Sequence, residues 1–75
     1  MTPRLSMLKA RDLIRALKLV GFIPVRQTGS HIFLRHPDGR TTVVPQHGGQ
    51  DIGRGLLRSI LRETEISPED FMSNF

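Results

Sequence analysis

The sequence contains no cysteine, no tryptophan and no tyrosine. Without cysteine the chain can form neither a disulfide framework nor a thiolate metal site, as is usual in a reducing cytosol. The four phenylalanines are the only aromatic residues besides histidine. Proteins that bind single-stranded RNA commonly stack its bases on several aromatic rings, so this mode of recognition has little support in the composition.

Long apolar runs are also absent. The N-terminal stretch MTPRLSMLKA has no hydrophobic segment of signal-peptide length, and no other segment approaches the length of a membrane span. We therefore expect a soluble protein of the cytoplasm that makes no contact with a membrane.

The length of 75 residues is enough for one small domain, which we assign to residues 1–75. Such a domain has a thin stability margin, because it buries a smaller fraction of its surface than a larger one. The net charge is +4 and the sequence pI about 11.2, with the acidic excess confined to the last third of the chain. A basic excess favours a polyanionic partner, usually nucleic acid, although solvated cations on helices give the same composition.

Apolar periodicity predicts two amphipathic helices and a short third one. The first runs from Ser6, as N-cap, to Val20 and ends at Gly21. The second covers Arg54 to Thr64, and a short helix follows with Ser67 as its N-cap.

Three short segments between the helices predict strands: Phe22–Thr28, His31–His36 and Arg40–Pro45. Gly29-Ser30 fits a type II′ hairpin turn, and Pro24 places the first strand at a sheet edge. The polar residues from Gln46 to Gly53 are predicted to form a loop. The result is a two-layer α+β fold of order α-β-β-β-α with a short C-terminal helix, in which one sheet face packs against the helices.

The three histidines are the side chains whose ordinary pKa lies near neutrality. His31, His36 and His47 do not have the spacing of a metal site, and no acidic residue is placed to complete one. His36 precedes a Pro-Asp-Gly turn and is interpreted as a turn residue. His47 lies in a glycine-containing loop, where a solvated role is favoured over a ligand-binding one.

His31 begins a strand directly after the Gly-Ser pair, so its ring is presented from a rigid strand end. It either fills the turn or transfers a proton. RNA suits the second role because its 2′-hydroxyl is an internal nucleophile that needs a base, an acid and cations for the phosphate. The candidate phosphate-binding cations are Arg26, Arg35 and the ridge formed by Arg54, Arg58 and Arg62. Ser30 is unsuited to act as a nucleophile with His31, since adjacent strand residues point in opposite directions.

The segments LKLVGFIPVRQTGSHIFLRHPDGRTTVVPQH and GRGLLRSILRETEISPEDF resemble the HicA family of bacterial toxins, from about Leu8 to Phe71. The most specific matches are Gly21-Phe22, Arg26, the Gly29-Ser30-His31 triplet, the Val44–His47 segment and the start of the second helix at Gly55–Arg58. Leu56 departs from the family, which often has threonine there. The resemblance implies a fold like that of double-stranded-RNA-binding domains and cleavage of messenger RNA without a metal or other cofactor. It also implies a HicB-type antitoxin as partner.

The resemblance further assigns the catalytic role to His31, the residue after the Gly-Ser pair. Auxiliary or RNA-binding candidates are Arg26, Ser30, Arg35, His47, Arg54 and Arg58. The second proton-transfer group is left open between His47 and water. The alternative function is a catalytically inactive RNA-binding or protein-interaction module of the same fold.

Overall fold

The computed structural model describes residues 8–46 and 51–73. These residues form three helices and five strands. In chain order the elements are β1 (Leu8–Lys9), α1 (Ala10–Leu19), β2 (Ile23–Thr28), β3 (His31–Arg35), β4 (Thr41–Pro45), β5 (Asp51–Ile52), α2 (Arg54–Thr64) and α3 (Pro68–Ser73).

Strands β2, β3 and β4 form an antiparallel meander with β3 in the centre. The β2–β3 turn has Gly29 at φ 58°, while Ser30 keeps a negative φ, as the predicted type II′ turn requires. Pro24 lies in the edge strand β2, also as predicted, and the pairing register shifts between Pro24 and Arg26. Proline has no N–H to donate to a ladder, so an irregular edge strand is where it fits.

The helices cover one face of this meander. Leu34 and Val44 point from β3 and β4 into a core that they share with Leu13 and Leu17 of α1. The same core receives the apolar face of α2, and α2 also contacts β4. This is the predicted two-layer α+β arrangement. Below, this covered side is called the inner face.

The opposite side, the outer face, carries no helix from the described part of the chain. Strand alternation and register place His31, Phe33 and Arg35 of β3 on this face, with Thr41, Val43 and Pro45 of β4 beside them. The ends of β3 are exposed there, and Phe33 and Val43 are partly buried. A substrate or a partner can therefore reach this face without displacing core residues.

The N-terminal boundary of the first helix was predicted wrongly. Leu8 and Lys9 are in β1, which pairs antiparallel with β5, so the helix begins at Ala10. The predicted N-cap Ser6 lies outside the described residues. The predicted loop from Gln46 to Gly53 is wrong at Asp51 and Ile52, because these two residues form β5. An ion pair of 2.8 Å between Lys9 and Asp51 reinforces this contact between the starts of α1 and α2.

Phe22 was predicted to start the first strand but instead follows the end of α1. Its N–H donates to the carbonyl of Leu17 at 3.0 Å, and the N–H of Gly21 donates to Lys18 at 3.1 Å. These two bonds form a Schellman motif, with Gly21 at φ 106° as the predicted terminating residue. The motif turns the Phe22 ring into the core, where its exposed fraction is 1%.

Candidate active site

His31 is the first residue of the central strand β3 and is exposed. Its backbone is held on both sides, because it pairs with Thr28 on β2 and with Pro45 on β4. The N–H of Gln46 also donates to the carbonyl of Ser30 at 2.6 Å, which ties the turn before His31 to the end of β4. The imidazole is thus carried by a rigid part of the sheet and is accessible on its outer face.

Two arginines share the outer face with His31. Arg26 pairs with Phe33, which lies two residues along β3 from His31, so Arg26 is the diagonal cross-strand neighbour of the histidine. Diagonal neighbours have their Cβ atoms about 7–8 Å apart, within reach of a long side chain. Arg35 is four residues from His31, or about 13 Å along the strand.

Phe33 supports the nearer arginine. The guanidinium carbon of Arg26 lies 4.5 Å from the centroid of the Phe33 ring, which is a cation–π contact. The two side chains line a depression of about 510 Å³ on the outer face, together with Val25, Arg35 and Val43. His31 lies next to this depression, two residues before Phe33 on β3. Phe33 therefore lies on the outer face and not in the core.

His36 lies in a different environment from His31. It precedes the β3–β4 turn, and its Nδ1 accepts the N–H of Asp38 at 3.1 Å. Its ring packs edge-on against Phe22 with centroids 5.2 Å apart. The prediction that His36 is a turn residue is consistent with these contacts.

Arg40 fixes the same turn to the end of α2. Its guanidinium donates to the backbone carbonyl of Thr64 and, at 2.8 Å, to the carboxylate of Asp38. A hydrogen bond from the Arg40 backbone N–H, at 3.1 Å, lowers the pKa of Asp38, and the Arg40 guanidinium adds to this effect. These contacts give Arg40 a structural role.

The ridge predicted on the second helix is present on the surface. Arg54, Arg58 and Arg62 are all exposed on α2. Because α2 packs on the inner face of the sheet, the ridge is not on the face that carries His31. Arg54 and Arg58 are therefore candidates for contacts with a more distant part of a long ligand.

His47 lies outside the described residues. Within residues 8–46 and 51–73, no three histidine or acidic side chains are grouped so that they could hold a metal ion. The described helices include none with the length and apolar character needed to cross a bilayer.

One set of basic residues was given no function from the sequence. Arg11, Arg15 and Lys18 on α1 line a groove with Arg26 of β2, on the helical side of the edge strand. The signal in the sequence was their spacing of four and three residues, which places all three on one side of a helix. Only the structure shows that this side borders β2.

Comparison with protein families identifies the chain. A family described as the HicA toxin of bacterial toxin–antitoxin systems matches residues 10–66. The chain belongs to the HicA toxin family. The match runs from the start of α1 to just past α2 and contains His31. No curated protein sequence matches the chain.

Membership of the HicA family has three consequences. The protein is the toxin of a toxin–antitoxin system, and such a system implies an antitoxin partner. The family also suggests an activity of the nuclease type. The three-stranded antiparallel sheet with its helices is consistent with the fold of HicA toxins, which is similar to that of double-stranded-RNA-binding domains.

Proposed function

We propose that this HicA-family toxin is an endoribonuclease that cleaves messenger RNA in the cytoplasm, with His31 as a general acid or base. The observation that carries the proposal is the position of His31. The imidazole is exposed at a rigid strand end, on a sheet face that also presents Arg26 and Arg35. Proton transfer requires this accessibility and fixed geometry, and a phosphate substrate requires the neighbouring cations.

The reaction uses the nucleophile that RNA itself carries. The 2′-oxygen attacks the adjacent phosphorus, the bond from phosphorus to the 2′-oxygen forms, and the bond from phosphorus to the 5′-oxygen breaks. The 2′-hydroxyl loses a proton and the departing 5′-oxygen gains one. The products are a 2′,3′-cyclic phosphate and a 5′-hydroxyl.

His31 carries out one of these two proton transfers. A neutral imidazole accepts the 2′-hydroxyl proton, whereas an imidazolium donates to the 5′-oxygen. The other transfer is assigned to water or to His47, and Ser30 is an auxiliary candidate for binding the RNA. General acid–base catalysis of this type contributes about 10²–10⁴-fold to the rate. Arg26, the nearer cation, and Arg35 stabilise the additional negative charge on the oxygens of the pentacoordinate phosphorus.

The antitoxin partner is proposed to be of the HicB type and to cover the outer face. Acidic groups on the antitoxin would meet Arg26 and Arg35, and the apolar surface of Phe33 and Val43 would be buried. Charge complementarity of this kind gives fast association that slows as salt is added. Binding to the folded toxin would also raise its stability by mass action.

The test measures cleavage of an end-labelled RNA in the presence of a chelator, by the wild-type protein and by His31→Ala. A strand of the same sequence with 2′-deoxyribose throughout is the substrate control, and the urea midpoint of His31→Ala is the folding control. We expect the wild type to cut only the RNA and to leave a 2′,3′-cyclic phosphate. We expect His31→Ala to be folded and slower by about 10²-fold or more.

Three results would contradict the proposal. Cleavage of the deoxyribose strand would show that the 2′-hydroxyl is not the nucleophile. Equal rates for wild type and His31→Ala would remove the histidine from the reaction. If the wild type binds both strands and cuts neither, the protein would be a binding module without catalytic activity.

A further inference from the structure

A basic groove lies between α1 and the edge strand β2, on the helical side of the sheet. It has a volume of about 670 Å³, and four of its lining residues are cationic. Arg11, Arg15 and Lys18 come from α1, and Arg26 comes from β2. Ile14 and Ile32 contribute apolar surface, and Gln27 and Gln46 also line it. We call this feature the α1–β2 groove.

The cations of α1 are not neutralised within the described part of the protein. Arg11, Arg15 and Lys18 are exposed, and none of them forms an ion pair with a described carboxylate. Asp12, the one acidic residue of α1, forms no ion pair with a described cation. Like charges four residues apart destabilise a helix by about 0.2–0.5 kcal/mol. The arrangement is therefore unfavourable for folding and favourable for binding an anion.

The groove is continuous with the surface that carries His31. Arg26 and Val25 line both the groove and the outer depression, so the edge strand β2 separates the two. Gln27 precedes Thr28, the pairing partner of His31. Gln46 donates through its N–H to Ser30, directly before His31. A flexible polymer can pass from the groove over this end of β2 to the histidine.

We propose that the α1–β2 groove binds the sugar-phosphate backbone of the RNA on which the toxin acts, at nucleotides beside the cleaved bond. This inference rests on the proposed function. Guanidinium groups bind phosphates through two parallel hydrogen bonds, and the amides of Gln27 and Gln46 can donate to phosphate or ribose oxygens. Arg11 to Lys18 cover about 10 Å of helix. This length corresponds to about three phosphates at the rise of one strand in a duplex.

The experiment measures the affinity for a 2′-O-methyl RNA oligonucleotide by fluorescence anisotropy over a range of salt concentrations. This probe cannot be cleaved, because its 2′-oxygen carries no proton. Arg15→Gln is compared with Arg62→Gln, which removes the same charge from the α2 ridge, the rival candidate for RNA contacts that lies outside the groove. The double variant Arg11→Gln/Arg15→Gln extends the series. Urea midpoints establish that all variants are folded.

Each phosphate contact to a single strand contributes about 0.7 to the slope of log affinity against log salt. We expect Arg15→Gln to reduce the slope by about 0.7 and the double variant by about 1.4. The loss of affinity should be several-fold larger for Arg15→Gln than for Arg62→Gln. Equal losses would indicate either a general effect of net charge or equal contacts to the α2 ridge, and both would overturn the proposal.

Cleavage assays with the same variants separate this inference from the proposed function. If the wild type cuts no RNA but Arg15→Gln still weakens binding, the groove is an RNA site and the nuclease assignment fails. If the double variant cuts RNA at the wild-type rate and keeps the wild-type salt slope, the nuclease assignment stands and the groove proposal fails. Unchanged RNA binding with weakened antitoxin binding would assign the groove to the protein partner and would also overturn the proposal.

Discussion

The imidazole of His36 occupies the space above Gly21. A Cβ atom added to Gly21 would lie 2.7 Å from Nε2 of His36 and 2.9 Å from its Cδ2. Gly21 also has a φ of 106°, a conformation that L residues rarely adopt. One glycine therefore ends α1 and makes room for the ring that packs against Phe22.

Gly21→Ala is expected to destabilise the protein more than Gly39→Ala. Gly39 has a similar φ of 100°, but nothing lies within 4 Å of a Cβ added to it. Gly39→Ala should therefore lower the free energy of unfolding by about 1–2 kcal/mol through backbone strain alone. Gly21→Ala adds the overlap with His36, for a total of about 2–4 kcal/mol. Urea unfolding measures both, and equal losses would show that the ring moves away without cost.

The end of α2 has the same two hydrogen bonds as the end of α1 but no glycine. Glu65 donates to Arg62 at 3.2 Å and Ile66 donates to Leu61 at 3.0 Å. Glu65 has a φ of 57° and is the one described non-glycine residue with positive φ. A residue with a side chain is strained in this conformation, whereas glycine is not.

Glu65→Gly is therefore expected to stabilise the protein. Relief of strain contributes about 1–2 kcal/mol, and the greater freedom of glycine in the unfolded chain offsets part of it, leaving a net gain of about 0.5–1 kcal/mol. Ser59→Gly is the control, because a glycine in the interior of the same helix should destabilise by about 0.5 kcal/mol. Thermal or urea unfolding gives both values. A loss of stability on Glu65→Gly would contradict the assignment of strain.

Local signals in the sequence account for most of the fold. The apolar spacing of α2 predicts a helix from Arg54 to Thr64, and the structure has the same bounds. Ser67 caps α3 as predicted, since its Oγ accepts the N–H of Asp70 at 3.0 Å. The β1–β5 pair was missed because each strand has two residues and therefore no periodicity. Its partners are more than forty positions apart in the sequence.

The candidate site was predictable where one residue and its turn define it. The Gly-Ser turn places His31 at a strand end, and the strand alternation puts Phe33 and Arg35 on the same face. The α1–β2 groove could not be derived in this way, because it depends on how α1 is rotated over the sheet. The contact between Arg40 and Thr64 is another long-range feature, joining residues that are 24 positions apart.

Asp38 is expected to make the stability of the protein sensitive to acid. The backbone N–H of Arg40 and its guanidinium lower the pKa of Asp38 below the ordinary value of 3.8. A carboxylate with a lowered pKa stabilises the folded state above the unfolded pKa, and this contribution is lost as pH falls through the folded pKa.

Asp38→Asn should therefore reduce the difference in urea midpoint between neutral pH and a pH of about 3. Asparagine keeps a side-chain oxygen that can accept the Arg40 N–H but carries no titratable charge. Because Asp38 is exposed, the difference is expected to be small and to shrink further in high salt. The same acid sensitivity in Asp38→Asn and wild type would exclude the Arg40 contact as its source.

Phe33 is expected to contribute to RNA binding through the arginine that it supports. With Arg26 lying 4.5 Å from its ring centroid, the flat guanidinium is held over the outer face within reach of a base or phosphate near His31. Phe33→Leu keeps an apolar side chain at this position but removes the cation–π contact and the ring.

On the proposed nuclease function, we expect Phe33→Leu to raise the KM for RNA cleavage about 2- to 5-fold, which corresponds to the loss of a cation–π contact of about 0.5–1 kcal/mol at an exposed site. Its kcat should change much less, because Phe33 exchanges no proton with the substrate. Val43→Ala is the matched control on the same face, since it removes apolar surface without removing a ring or an arginine contact. Steady-state kinetics at fixed salt distinguish the two variants. Similar KM values for Phe33→Leu and Val43→Ala would show that the outer face acts only through its apolar area.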